Sequence, residues 1–183
     1  MRRWITLLLI GFGLVGWVQA QDESTSSPVQ SAREIYTALT IGEAAFEPEL
    51  WLVSASEKPG LTTAEWRADE IGGLGFLTIY HFDQGILPEQ VNAAFGKDWF
   101  SAYFANYDSW SEQSNCQFNQ PANLTLREFT VISSGVESQL RFWLWPLSET
   151  RVATFFVTFP STQTELLDQY AERLFPDAAL CNG

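Results

Sequence analysis

At 183 residues, with 22 acidic against ten basic side chains and a formal charge of −12, the chain presents an anionic surface. Such a surface cannot displace counterions from phosphates, which excludes nucleic acid as a partner and argues equally against docking on anionic lipid. One histidine and two cysteines do not make a tetrahedral metal set, and no calcium-loop pattern occurs, so neither a metal nor a cofactor is expected.

The first segment is built for export. Arg2 and Arg3 precede an uncharged run over residues 4–18, which ends in Val18-Gln19-Ala20. A short positive start, an apolar centre and small residues at the cleavage positions predict a signal peptide over residues 1–20. The run is 15 residues long, short of the about 18 that a spanning helix needs. Cleavage leaves eight basic against 22 acidic residues, a formal charge of −14. No stable membrane insertion is expected after it. The predicted location is extracytoplasmic: secreted, periplasmic or in the cell envelope. Residues 21–33 are polar and serine-rich and read as a flexible linker. Residues 34–183 read as a single globular domain, long enough to bury about two-thirds of its surface.

Within that domain residues 50–56 and 62–68 predict a hairpin around Lys58-Pro59-Gly60. Residues 74–82 are apolar on both faces, as in a central strand covered on both sides. Residues 88–95 predict a short helix, with Pro88 suited to a first helical position and Gly96 to the stop. Asp98 opens a second helix to about residue 106. Its Trp99, Phe100, Tyr103, Phe104 and Tyr107 share one broad face, read as core. Residues 108–122 read as an irregular loop. Three closely spaced strands follow, at 124–133, 139–145 and 151–159, which predicts an antiparallel meander. Thr162 and Glu165 match a capping box for a last helix that Pro176 ends.

Strands grouped rather than alternating with helices predict an α+β fold: a single domain with a largely antiparallel sheet and helices packed on it. Leu140 to Trp145, then Arg151 to Pro160, then the helix from Thr162 to Phe175, set in this order, resemble the PsbP/Mog1-like superfamily of small α/β sandwich domains. The resemblance spans about residues 45–176 and lies in element order. It implies binding and accessory roles in exported domains rather than one reaction.

Three constellations bear on function. Cys116 and Cys181 predict a disulfide in an oxidising compartment, tying the tail to the middle of the domain. Its loop of 65 residues corresponds to roughly 4 kcal/mol in the chain-entropy view. Arg141, Trp143 and Trp145 share one strand face, with Leu140, Phe142 and Leu144 on the other. If the aliphatic face meets the core, the two rings and the guanidinium form a candidate ligand-binding surface for a sugar or peptide. His81, with Asp83 two residues on, is the one available imidazole base, although no G-x-S-x-G segment accompanies it. No catalytic residue is assigned. The leading expectation is a non-enzymatic extracytoplasmic domain that binds an unidentified protein, peptide or glycan partner. The alternatives are a hydrolase using His81 with a nearby carboxylate, and a structural envelope protein without a small-molecule site.

Overall fold

Lys58-Pro59-Gly60 and Ser134-Gly135 set the geometry of two hairpins in a computed structural model that describes residues 28–119 and 123–181. Gly60, at φ +75°, closes β1 (Leu52–Lys58) onto β2 (Leu61–Ala68). Ser134 and Gly135, at φ 52° and 76°, both turn left-handed between β5 (Leu124–Ser133) and β6 (Val136–Ser148). Two successive positive φ values match the twist of the strands they join. The remaining strands are β3 (Gly73–His81), β4 (Ser109–Phe118) and β7 (Arg151–Pro160). All seven pair antiparallel in the order β1-β2-β3-β7-β6-β5-β4. The signal peptide expected over 1–20, and residues 21–27 of the expected linker, lie outside the described residues.

Helices cover both faces, as the two-sided apolar strands require. One face packs beneath α1 (Pro28–Glu43) and α4 (Thr164–Leu174) and buries Trp66, Leu77, Trp143, Phe155 and Phe159. The other packs beneath α2 (Pro88–Ala94) and α3 (Lys97–Tyr103) and buries Phe129, Leu140, Phe142 and Phe156. Glycine makes the first face possible. A Cβ on Gly73 would stand 2.6 Å from the Trp51 ring, and one on Gly75 would stand 2.7 Å from the Phe46 ring. Their absence lets both rings lie on the sheet. Phe46 then sits 4.5 Å from Trp51 and 5.2 Å from Trp66 between ring centroids. The Trp51 indole N–H donates to the Tyr170 hydroxyl at 3.0 Å, and that hydroxyl donates to Glu47 at 2.8 Å. Burial raises the Glu47 carboxyl, but hydrogen bonds from its own backbone, from Tyr170 and from Arg173 bring it below the usual value.

Three expectations are corrected. α1 begins at Pro28, so residues 28–33, read as linker, are helical. Further along the helix Ala38, Leu39 and Ile41 pack into the core, and tertiary packing of this kind, more than propensity, sustains a helix. The expected capping box does not form. A single 3₁₀ turn at Ser161–Gln163 precedes α4, and its N-cap residue, Gln163, makes no capping bond with its side chain. Most consequential, the expected loop at 108–122 contains the ten-residue strand β4. Its serines, glutamines, asparagine and single glutamate lack β propensity, and pairing with β5 decides its state.

β4 also carries a bulge, where the register shifts between Glu112 and Ser114. Side chains alternate with period two, so one extra residue reverses the inward set. Trp110, before the bulge, packs on the α3 face, whereas Cys116 and Phe118, after it, pack on the α4 face. Without the bulge these three even-numbered residues would share a side.

Candidate functional site

The disulfide between Cys116 and Cys181 is present, with the Cα atoms 5.7 Å apart. The bulge turns Cys116 toward α4, and the chain after α4 brings Cys181 back to meet it. This return covers the surface expected to bind ligand. Arg141, Trp143 and Trp145 do share one face of β6, but α4 and the tail lie on it. Trp143 is fully buried. Its indole N–H donates to the Ala178 carbonyl at 2.8 Å, and the Phe175 ring stacks on it at 4.8 Å. Trp145 is half-buried and meets the edge of Phe175 at 5.4 Å. Arg141 is 5 % exposed. Its Nε donates to Glu128 at 3.2 Å and its Nη2 donates to Asp168 on α4. Ser114 on β4 also donates to Glu128. The guanidinium thus ties three strands to a helix, and the expected open stacking surface is a closed structural seam.

His81 ends β3, half-buried, with Nε2 3.2 Å from the Thr62 hydroxyl. The strand stops there, so alternation does not carry on to Asp83, which is exposed in the bend beyond. The one hydrogen bond shown for the ring goes to a buried hydroxyl, not to a carboxylate. Among the described residues no group of three or more histidine, cysteine and acidic side chains could hold a metal ion.

The residues that do converge were not singled out from sequence. Asn92, Phe95 and Gly96, at the junction of α2 and α3, stand over Asn115 and Gln117 of β4, Thr125 and Arg127 of β5, and Leu144 of β6. They enclose an open-mouthed cleft of about 180 Å³. The bulge in β4 places Asn115 and Gln117 here. They pair with Arg127 and Thr125 and share their face. The Thr125 hydroxyl, buried, donates to Asn92 Oδ1 at 3.2 Å. Arg127 is held on four sides. Its Nε and Nη2 meet both Glu112 carboxylate oxygens at 2.7 and 3.0 Å, and its Nη1 donates to the Phe95 carbonyl at 2.7 Å. The guanidinium carbon lies 4.3 Å from the centroid of the Phe100 ring. A bidentate carboxylate neutralises the arginine and fixes its plane. What remains on offer is neutral: carboxamides on Asn92, Asn115 and Gln117, each able to donate and accept. Exposed polar residues leave no periodic trace, and two of these sat in a segment read as loop.

Beside the cleft, α3 lays an aromatic face on the sheet. Trp99 stacks on Tyr103 at 4.8 Å and meets Phe142 at 5.6 Å. Burial pushes the Tyr80 hydroxyl up to about 12, against hydrogen bonds with Thr154 and Thr78. Burial raises Tyr103 well beyond the ordinary tyrosine range. These groups are neutral at physiological pH and serve as core.

No family model matches this chain, and no curated protein matches it in sequence.

Proposed function

We propose that the chain is an exported, non-enzymatic binding domain that receives a small neutral polar group in the cleft between the α2–α3 junction and β4–β5. One observation carries this reading: three carboxamides converge around a pre-fixed, charge-neutralised arginine. Carboxamides complement hydroxyls and amides, because each offers donors and an acceptor together. An ionic ligand would meet no unpaired charge on Arg127. At about 180 Å³, the cleft falls below the roughly 300–1,000 Å³ of sites for drug-sized ligands. It suits a single sugar ring or one peptide unit, displayed as part of a larger glycan or protein. The signal-peptide reading and the disulfide support action outside the cytoplasm. The PsbP/Mog1-like resemblance points the same way, toward binding and accessory work rather than turnover.

The test uses the full mature chain and three probes: glucose, N-acetylglucosamine and a blocked dipeptide amide. Backbone NMR shifts at Asn92, Asn115 and Gln117 are expected with at least one probe. Replacing both Asn115 and Gln117 by Ala removes exposed side chains and spares the core. It is expected to weaken that binding by about tenfold or more. No shift at the cleft with any probe, or unchanged binding in the double variant, overturns the reading.

A further inference from the structure

The edge strand β1 offers a second, independent surface. Its seven residues pair with β2 in unbroken register, and among the described residues no strand lies on its other side. Around the exposed Leu52 and Val53 such an edge presents backbone N–H and C=O groups that a further strand can pair with. Residues opposite each other in the register share a face, so Val53, facing Trp66, points to the α1 side. Leu52, facing Arg67, points to the other. Both are exposed, at 55 % and 71 %. A strand added here would find one apolar neighbour on each face at the same level.

Charge selects the occupant. β2 runs back along β1, so Asp69 and Glu70, just past its end, lie at the Leu52 end together with Glu49. All three are exposed. Arg67, the nearby cation, is already paired with Asp69 at 2.9 Å and with Glu65 at 3.6 Å. A second copy of this chain would bring another acidic rim against this one, within a molecule of formal charge −12. We propose that β1 is a docking edge for an extended segment of a partner protein, in which two adjacent apolar residues are flanked by lysine or arginine. The segment joins the sheet as an eighth strand, its apolar pair beside Leu52 and Val53 and its cations beside Glu49 and Glu70. Backbone pairing supplies affinity, while alternate side chains and the acidic rim supply selection.

The probe is a synthetic peptide as long as β1, two valines flanked by lysines, added to the full mature chain. Its twin carries glutamate in place of lysine. Amide hydrogen exchange over residues 52–58 is expected to slow with the lysine peptide, and its binding to weaken as salt is raised. The glutamate peptide should bind about tenfold more weakly or less. Val53→Lys, at an exposed position, should weaken the lysine peptide by a similar factor. Equal binding of the two peptides, or no protection of residues 52–58, overturns the proposal. Self-association that protects the same amides without peptide overturns it too, by making a second copy the occupant. Cleft variants at Asn115 and Gln117 leave this binding unchanged, so the two sites fail or stand separately.

Discussion

The two edges of the sheet are finished in opposite ways. β4 is bulged, bound through Ser114 to Glu128, clasped through Glu112 by Arg127 and bridged through Cys116 to the tail. β1 has a regular register, two exposed aliphatic side chains and no covalent tie. A bulge and a cross-link make a strand a poor template for further pairing, while a straight edge remains a good one. The contrast extends inward. Beneath α1 the half around β1 to β3 is held by packed rings, Phe46 stacked on Trp66 and tilted against Trp51. The half around β4 to β6 adds the ion pairs of two shielded arginines, Arg127 and Arg141, and sulfur to its rings. One edge is closed by chemistry that also shapes a cleft, and the other is left open.

Removing the cross-link tests this contrast most severely. Replacing Cys116 and Cys181 by Ala should lower the unfolding free energy by about 4 kcal/mol, read by denaturant titration. Amide exchange over residues 109–118 should then rise toward that of β1. If β4 stays protected, the bulge and ion pairs close that edge without sulfur. Arg141→Ala comes next, at about 3 kcal/mol, because it strands a carboxylate on Glu128 whose side chain is only 19 % exposed. Arg141→Met should recover part of that loss, since its bulk refills the seam. Alkaline titration is a control that should act on both halves at once. An unfolded tyrosine loses its proton near 10, whereas folded Tyr80 is held up to about 12 by burial. Its contribution is whole below pH 10 and fades as the pH rises toward 12, by about 3 kcal/mol at most. Circular dichroism against pH should show loss beginning above 10, with both edges melting together because Tyr80 lies in β3, an inner strand beside the central β7. The smallest effect is expected on the open edge. Leu52→Lys should change stability by no more than about 0.5 kcal/mol. A larger loss would mean that β1 is packed rather than presented.

Much of the order of elements is legible in the chain. Pro59-Gly60 and Ser134-Gly135 announce turns because few other residues accept those dihedrals. Residues 74–82 read as covered on both sides because both their faces are apolar, and helices do lie on both faces of the sheet. The cysteine pair is legible for a different reason: with two cysteines only one intramolecular bridge can form. β4 escaped because eight of its ten side chains, all but Trp110 and Phe118, carry little strand preference, and its backbone is ordered by β5. The Arg141, Trp143 and Trp145 face was misjudged at one step. Alternation shows which residues share a side, but not what lies over that side. The cleft residues escaped for the same reason, since carboxamides at a surface have no characteristic period.

By itself the sequence determined the local states: where the chain turns, which strands carry apolar faces, the sign of the surface and the sulfur pair. Those follow from dihedral preference, side-chain transfer to water and charge, which act within a few residues. Only the tertiary structure decided which face of β6 is sealed, that residues 109–118 form a strand, and that a single bulge turns Cys116 toward Cys181 while turning Asn115 and Gln117 into a cleft. The reason is geometric: a one-residue shift in pairing exchanges the two sides of a strand, and that shift is set by the neighbouring strand rather than by the residues that move.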